Sequence, residues 1–337
     1  MKVISDVARI DIADVARSVI CLGTFDGVHL GHQEILRRCV ACAKRYEARA
    51  VAFTFDRHPL RVIRPQAAPA QLTDIEDKLA LIEAMGIEVA VVARFDEAFA
   101  SATPEQFARE VLVDGLRAAK AVVGFNYTFG RSASGTAPVL AELGRKHGFE
   151  VEIAEPVTVG GVPVGSTEIR ARLSRGDVVG AWAMLGRPFS LKGTVVPGEG
   201  RGRTLGYPTA NVQVSSELAV PASGVYAVIA GVCGKELRAV ANVGVRPTFD
   251  GKVPRLEVFA IDFAGDIYGE TMRVSFVKRL RDELRFSSAS ALASQIADDV
   301  KNAEMVFATR LAGHTECGMG AAAGESGTAQ PERTTES

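Results

Sequence analysis

The first half of the chain alternates short apolar runs with segments whose apolar residues recur at helical spacing. The runs are rich in β-branched and aromatic residues, which favours buried strands, and the segments between them have the period of amphipathic helices. This alternation predicts a parallel sheet covered by helices on both faces, with ligands bound beyond the carboxyl ends of its strands. The predicted strands are residues 18–22, 49–55, 88–95, 121–124 and 150–156, and the predicted helices are residues 33–44, 74–85, 103–117 and 138–147.

The pattern changes near Arg187 and Pro188, beyond which short strands follow one another with turn signals between them. Such a succession predicts a small antiparallel barrel. Ser287 or Ser288 is the expected cap of a long amphipathic helix that ends near Leu311, and the small and polar residues after it predict a disordered tail. The predicted barrel strands are residues 189–196, 210–214, 225–230, 237–243, 255–261 and 272–276.

The predicted fold class is therefore α/β plus β, with two domains and a tail. A Rossmann-like domain with a parallel sheet is expected at residues 1–186. A small antiparallel barrel with a terminal helix is expected at residues 187–311, and the disordered tail at residues 312–337. Because the two patterns differ so sharply, we expect two separately folding units.

Composition narrows the classes of protein that fit. The 337 residues are enough for two domains with their own cores, and a formal net charge of −1 argues against a strongly basic nucleic-acid binder. No apolar run approaches the roughly 18 residues of a membrane span, so we expect neither nucleic acid nor a membrane as a partner. Five cysteines and an N-terminus without an apolar signal core indicate a cytoplasmic protein with reduced thiols. Cys39 and Cys42 fall inside a predicted helix, which favours a structural role over a redox pair or a zinc site.

The most informative segment, residues 23–32, follows the first predicted strand and precedes a helix. Its glycines let the backbone approach a triphosphate, and the helix N-terminus attracts phosphate charge. His29 and His32 can donate hydrogen bonds to non-bridging oxygens as charge builds during phosphoryl chemistry. Their H-x-G-H spacing resembles the signature of the HxGH nucleotidyltransferases, which attack the α-phosphate of a nucleoside triphosphate and expel pyrophosphate. The alternative is a pair of surface histidines in a polar turn.

A second glycine-rich segment, residues 193–211, is basic and lies between predicted strands. It lacks the G-x-x-x-x-G-K-[ST] pattern of a P-loop, and no helix follows it. Its glycines and arginines could still wrap a polyphosphate, and Thr209 and Asn211 offer neutral oxygens of the kind that hold Mg²⁺ beside phosphates. The alternative is an ordinary solvated hairpin.

Together these motifs resemble one known pairing over residues 1 to about 310. The chain is similar to the bifunctional bacterial FAD synthetases, which join a riboflavin kinase to an FMN adenylyltransferase. The adenylyltransferase half is matched at residues 23–32, 55–59, 124–130 and 166–170, and the kinase half by the Gly- and Arg-rich element that ends at Asn211 and at residues 242–249, 257, 265–269 and 280–283. Arg57 stands where the family usually has proline, Thr128 where it often has arginine, and Gly165 where it usually has serine.

For the first half, the resemblance implies adenylyl transfer to FMN. His29 and His32 would stabilise the phosphates of ATP as pyrophosphate leaves, and no base is needed because the FMN phosphate is already ionised. His58 is an implied flavin or phosphate contact, with a packing histidine as the alternative. Arg170 would supply bidentate charge to the β- and γ-phosphates, unless it is only a surface residue of its helix. The implied ATP- and phosphate-binding residues are Gly23, Phe25, Gly31, Asn126, Ser166, Thr167 and Arg170.

For the second half, the resemblance implies phosphorylation of riboflavin by ATP. The attacking group is a neutral hydroxyl, and Glu257 is the implied base that accepts its proton, unless it only faces solvent. Thr209 and Asn211 would bind Mg²⁺ together with ATP. The implied ATP contacts are Gly193, Gly202, Arg203 and Gly206, and the implied flavin contacts are Asp282 and Glu283.

Three functions remain open at this point. The first is the bifunctional enzyme that converts riboflavin to FMN and FMN to FAD. The second is a riboflavin kinase whose adenylyltransferase half is weak or silent. The third is a non-catalytic flavin carrier or sensor. The expected partners are riboflavin, FMN and ATP, and the oligomeric state is open.

Overall fold

The computed structural model describes residues 1–5, 15–198, 202, 206–248 and 251–317. Within them, six strands of the first half form one sheet in which every neighbouring pair is parallel, as the alternation predicted. In chain order the strands of this half are β1 (Lys2–Ile4), β2 (Ser18–Leu22), β3 (Arg49–Phe55), β4 (Val89–Ala93), β5 (Ala118–Gly124), β6 (Thr128–Phe129), β7 (Gly135–Thr136), β8 (Glu150–Ala154), β9 (Thr158–Val159) and β10 (Val162–Pro163). The sheet order is β1-β4-β3-β2-β5-β8, and the short strands form the separate pairs β6-β7 and β9-β10.

The order of the strands sets the position of the first candidate site. After β2 the chain moves to β3 on one side of it, and it later returns to β5 on the other side. The carboxyl ends of β2 and β5 therefore lie side by side at the point where the strand order reverses, which is where open parallel sheets bind ligands. His29 and His32 follow β2, and Asn126 follows β5.

Helices cover both faces of this sheet, and two of them differ from the sequence expectation. Helix α1 begins at Leu30, three residues earlier than predicted, because the side chain of His29 caps it. The segment after Thr103 has the predicted capping box with Gln106, but residues 107–115 are π-helical. The helices are α1 (Leu30–Arg45), α2 (Leu60–Ile63), α3 (Ile75–Ala84), α4 (Glu97–Ser101), α5 (Pro104–Gln106, continued by Phe107–Gly115), α6 (Ala137–His147), α7 (Ser166–Ser174) and α8 (Val178–Leu185).

The second half forms the predicted barrel. Its described strands close in the order β11-β12-β15-β14-β13-β16, and every neighbouring pair is antiparallel. Residues alternate between an apolar interior, such as Leu256 and Val258, and an outer face. The strands are β11 (Ser190–Val196), β12 (Ala210–Val214), β13 (Gly224–Val232), β14 (Lys235–Thr248), β15 (Gly251–Ala260) and β16 (Thr271–Arg281).

The terminal helix α9 (Ala289–Cys317) packs on the outer face of β13, β14 and β16. Ser288 caps it, since its hydroxyl accepts the backbone N–H of Ala291 at 3.2 Å. The helix extends six residues past the predicted end at Leu311, so the expectation of disorder is wrong for residues 312–317. The rest of the predicted tail, residues 318–337, lies outside the described residues.

Helices α7 and α8 precede the barrel in sequence, but their apolar faces pack into its core. Leu173, Met184 and Leu185 are almost fully buried in the same apolar cluster as the interior residues of the barrel. The backbone N–H of Ala222, just before β13, also donates to the carbonyl of Leu173 at 2.9 Å. The boundary at residue 186 stays a prediction, and these contacts cross it.

Two cysteines of the first helix are packed into the interior. Cys39 and Cys42 lie inside α1 as predicted, both buried, and their sulfurs contact different partners, the carbonyl of Val19 and the carboxylate of Glu152. In the part of the chain that the structure describes, no helix is both long enough and apolar enough to cross a membrane.

Candidate active sites

The loop after β2 is shaped by residues in the left-handed backbone region. Phe25 and Val28 have φ of 49° and 38°, and Gly27 has φ of 82°. These turns place His29 at the N-cap of α1, where its Nδ1 accepts the backbone N–H of His32 at 3.2 Å. The two imidazoles stack with ring centroids 3.6 Å apart. The H-x-G-H spacing therefore forms a histidine pair at a helix N-terminus.

Burial controls the charge of both histidines. It lowers the pKa of His29 to about 4, with Arg187 and Arg170 adding to the effect. It also lowers the pKa of His32 well below its usual value, helped by His29 and Lys78. Both rings are therefore neutral near pH 7. Because Nδ1 of His29 accepts a hydrogen bond, the proton of its neutral ring is on Nε2, which makes that atom a donor.

One polar atom of this pair has no partner. Nδ1 of His32 is buried and makes no hydrogen bond to any described residue. The ring of Phe25 packs edge-on against His32 at 5.3 Å between centroids. Phe25 itself is fully buried, backbone included, and its role as an ATP contact stays a prediction.

Asp26 joins this loop to α7. Its carboxylate forms an ion pair with Arg170, and its carbonyl accepts the hydroxyl of Ser166 at 2.9 Å. Nε of Arg170 also donates to the carbonyl of Ala70 at 2.6 Å. Ser166 and Arg170 of α7 therefore reach the histidine loop, but the guanidinium of Arg170 is already engaged by Asp26 rather than open to phosphate. Thr167 follows Ser166 in the first turn of α7, and its role as a phosphate contact stays a prediction.

Two glycines of the loop are required by the packing of aromatic rings, and one polar residue lies near the loop. A Cβ on Gly31 would stand 3.2 Å from the ring of His29, so glycine keeps that ring in place. A Cβ on Gly23 would meet the ring of Phe25 at 3.3 Å. Asn126 is exposed in the loop after β5, beside the end of β2, where the sheet order predicts a ligand contact.

A cavity next to the histidine loop contains His58. Its Nδ1 accepts the backbone N–H of Leu60 at 3.2 Å, and burial followed by Arg170 lowers its pKa. The cavity is also lined by Asp26, Asp56 and Lys78. The ring of His58 thus borders an opening rather than the core, and its role as a flavin contact stays a prediction.

The three departures from the family pattern stand at exposed or sterically open positions. Arg57 is exposed and pairs with Asp56 at 2.9 Å. Thr128 is exposed on the short strand β6. Gly165 is the N-cap of α7 with extended backbone, and a Cβ there would meet nothing within 4 Å.

The second candidate site lies on the outer face of the barrel. Glu257 on β15 stands directly opposite Asn211 on β12 and Asn242 on β14. Its side chain is 19% exposed and forms an ion pair with Arg255, two residues away on the same face. The implied base and one implied metal ligand are therefore neighbours across a strand pair.

The glycine-rich segment before β12 is partly strand. Gly193 lies inside β11, where a Cβ would stand 2.3 Å from the carbonyl oxygen of Gln213, so close strand packing already requires glycine there. Gly206 has φ of 83°, and the carbonyl of Gly202 accepts the N–H of Tyr207 at 2.9 Å. Arg203 lies outside the described residues. Thr209 is half-buried two residues before Asn211, and a Cβ on Gly198 would collide with the Asn211 amide.

The implied flavin contacts follow β16. Asp282 is exposed and pairs with Arg279 at 2.6 Å. Glu283 reaches back over β14, where its Oε1 lies 2.6 Å from the position of a Cβ on Gly244. Gly244 pairs with Arg255, so Glu283 is at the edge of the face that carries Glu257.

Several residues of these sites were not assigned from the sequence. Asp26 and Asn242 lie inside motifs that carry the resemblance, and their position there was the available signal. Lys78 and Arg187 carried no such signal, because their partners are distant in sequence. Nη2 of Arg187 donates to the carbonyl of Gly27 at 2.7 Å, and burial lowers its pKa to about 10.

Comparisons with known proteins agree with this two-site arrangement. A family model described as FAD synthetase matches residues 11–168, and one described as riboflavin kinase matches residues 185–307. The bifunctional riboflavin kinase/FMN adenylyltransferase of Bacillus subtilis (strain 168) is 39% identical over 297 residues, which cover 87% of this chain and 93% of the relative. The protein of the same name from Escherichia coli (strain K12) is 35% identical over 308 residues, which cover 91% and 98%.

One solved structure is similar over nearly the whole chain. It is a crystal structure described as a macrolide-efflux protein from Streptococcus pneumoniae, with a TM-score of 0.82 and 35% sequence identity. The match covers 90% of this chain and 98% of that one. The arrangement of sheet, barrel and terminal helix is therefore shared with it.

Proposed function

This chain belongs to the bifunctional riboflavin kinase/FMN adenylyltransferase family, and from that premise we propose where each of its two reactions takes place. The protein phosphorylates riboflavin with ATP to FMN and then adenylates FMN with a second ATP to FAD and pyrophosphate. We assign adenylyl transfer to the histidine loop after β2 and phosphorylation to the outer face of the barrel around Glu257.

The histidine loop suits adenylyl transfer because it supplies donors without a base. An FMN phosphate oxygen attacks the α-phosphorus of ATP, and the bond from that phosphorus to the oxygen bridging to the β-phosphorus breaks. The negative charge that moves onto pyrophosphate is met by Nε2–H of His29 and by the N-terminus of α1. The buried, unpartnered Nδ1 of His32 gives that ring a polar atom to use when ligand enters.

The barrel face suits phosphorylation because it offers a base beside neutral oxygen ligands. The hydroxyl of riboflavin attacks the γ-phosphorus of ATP, its proton passes to the carboxylate of Glu257, and ADP leaves. Arg255 holds this carboxylate on the outer face. The direct pairing of Glu257 with Asn211 across β15 and β12 is the observation that carries this assignment.

Kinases and adenylyltransferases that use ATP generally need a divalent metal, and we propose Mg²⁺ at Thr209 and Asn211. A hydroxyl and an amide oxygen beside a carboxylate form the hard-oxygen donor set that suits this ion. Bound there with ATP, it would neutralise phosphate charge. Because both reactions consume ATP, we also propose that the protein acts in the cytoplasm.

The test uses two variants that should separate the activities. Glu257→Gln keeps the size of the side chain but cannot accept the proton, so FMN formation should fall by about 10²–10⁴-fold while added FMN is still converted to FAD. His32→Ala should have the opposite effect, with FAD and pyrophosphate formation lost and FMN formation retained. Products from riboflavin and Mg-ATP are resolved by chromatography.

Matched controls are available on both halves. Glu236→Gln changes an exposed glutamate of β14, and His147→Ala changes the histidine at the end of α6, away from either site. Neither should affect either product. If wild-type protein makes FMN but no FAD, the adenylyltransferase half is silent, and if it makes neither, the chain is a flavin carrier and the proposal fails.

A further inference from the structure

Residues 71–78, called here the bridging segment, connect the histidine loop to the barrel. On one side the segment binds the loop: the backbone N–H of Leu72 donates to Oδ1 of Asp26 at 2.8 Å. The backbone N–H of Gly27 also donates to Oγ1 of Thr73 at 3.2 Å. The conformation of the loop around Asp26 and Gly27 therefore depends on where this segment is held.

On its other side the bridging segment is held by the barrel. Gln71 exchanges backbone hydrogen bonds with Glu217 and Ala219 at 2.8 and 2.7 Å. In the first turn of α3, Asp77 accepts both Nη atoms of Arg273, each at 2.6 Å. Arg273 lies on β16, so a planar two-point ion pair fixes the start of α3 to a barrel strand.

The next residue along α3, Lys78, lies on the opposite side, towards the sheet. Its Nζ donates to the carbonyl of Phe55 at 2.9 Å and to the carbonyl of Thr24 and Oγ1 of Thr54 at 3.3 Å. Burial lowers its pKa to about 8. Among the described residues no carboxylate lies within ion-pairing distance of this amine. Lys78 thus connects the ends of β2 and β3 and borders the cavity that contains His58.

From these contacts we propose that Arg273, a residue of the barrel, is a positioning residue for adenylyl transfer in the other half of the chain. By holding Asp77 it fixes the first turn of α3, together with Lys192 of β11, which pairs with Glu76 at 2.7 Å. That turn sets the amine of Lys78 against the histidine loop, and the adjoining residues Leu72 and Thr73 hold Asp26 and Gly27. The barrel therefore carries the proposed phosphorylation site and also helps to form the adenylyl-transfer site. This inference rests on the proposed assignment of adenylyl transfer to the histidine loop.

The test is made on the full chain with Arg273→Met, which removes the charge and retains a long apolar side chain. Conversion of supplied FMN to FAD should fall about tenfold in kcat/KM, mainly through a higher KM, because the cavity wall is displaced. FMN formation from riboflavin should stay within about twofold of wild type, since Arg273 is not part of that site. Arg238→Met is the matched control, because Arg238 is an exposed barrel arginine whose pair with Asp262 spans 3.5 Å.

Two further measurements separate positioning from general damage. Acetylation of Lys78 by an amine-reactive reagent, followed by mass spectrometry, should be slow in wild type and faster in Arg273→Met. The exchanged pair Asp77→Arg with Arg273→Asp should restore part of the lost FAD formation.

Unchanged FAD formation in Arg273→Met would overturn the inference. So would an equal loss of both activities that the exchanged pair does not restore. Failure of the proposed function gives a different result, because His32→Ala would then leave FAD formation intact.

Discussion

Substitution of Leu173 by alanine tests whether α7 belongs to the barrel energetically as well as by contact. Leu173 is 1% exposed, and it lies in the apolar cluster formed by α7, α8 and the barrel interior. Comparable Leu→Ala changes in tight cores cost about 3–5 kcal/mol, because burial is lost and a cavity remains. At about 1.4 kcal/mol per tenfold, a loss of 3 kcal/mol raises the population of the unfolded barrel by roughly 100-fold.

Hydrogen exchange followed by mass spectrometry measures this loss strand by strand. In Leu173→Ala, the amides of β13 (Gly224–Val232) should exchange about 100-fold faster, whereas those of β5 (Ala118–Gly124) should be nearly unchanged. Leu140→Ala is the matched control, since Leu140 on α6 is fully buried in the core of the parallel sheet. Leu140→Ala should accelerate exchange in β5 and leave β13 nearly unchanged.

The reasoning fails if Leu173→Ala accelerates exchange in β5 and leaves β13 protected. The stability of α7 would then be coupled to the parallel-sheet domain, to which the sequence assigned it, and not to the barrel. If the expected pattern is found, a barrel fragment that begins at residue 164 should be more stable than one that begins at the predicted boundary, residue 187. The longer fragment keeps the helices that close the barrel core.

Three other substitutions have results that follow from single contacts. Asp299→Ala should lower the free energy of unfolding by about 3 kcal/mol in urea titrations, because it leaves the mostly buried guanidinium of Arg281 without its carboxylate partner. The two groups are 2.6 and 2.8 Å apart in the wild type. A loss below about 1 kcal/mol would contradict this reasoning. The free energy of unfolding of the wild type should fall as the pH drops from 6.5 towards 4, because His29 is then protonated in the unfolded state but not in the folded state. The lowering of its pKa from 6.5 to about 4 corresponds to a loss of about 3 kcal/mol over this range. His29→Asn, which can still cap α1, should remove that part of the pH dependence. Gly193→Ala should destabilise the barrel by about 1–3 kcal/mol in thermal unfolding, because its Cβ would stand 2.3 Å from the carbonyl oxygen of Gln213, and an unchanged melting temperature would show that β11 and β12 can separate without cost.

Local pattern was sufficient for most of the architecture. Strand and helix periods predicted the parallel sheet and the closed barrel, because both depend on which residues face a core. The start of α1 was misplaced because histidine is not among the residues that usually cap helices, although His29 does so here through Nδ1. The end of α9 was misplaced because the small and polar residues after Leu311 have almost nothing to bury and were expected to be disordered, whereas the helix continues to Cys317.

The candidate sites were predicted only as far as motifs mark them. The alternation of strands and helices predicted that the loops after β2 and β5 lie at the same edge of the sheet, whereas their adjacency depends on the strand order, which was not predicted. The pairing of Arg170 with Asp26 spans 144 residues and had no local signal, so the arginine was expected to be free for phosphate. The position of Lys78 beside the cavity also had no local signal in the sequence, because it depends on how α3 packs between the sheet and the barrel.

Glu257 shows most clearly what a pattern can and cannot decide. Leu256 and Val258 face the barrel interior, so alternation alone places Glu257 on the opposite face, where the simplest expectation is solvent. That face is not open surface, because α9 packs across it further along, covering Val240 and Ile261 with Phe307. The position of α9 depends on contacts with β13, β14 and β16 that no local window contains. Glu257 therefore lies at the edge of a covered surface, partly shielded and beside Asn211 and Asn242. This position, only partly exposed and beside two amide side chains, is the setting on which the proposed role of Glu257 as a base depends.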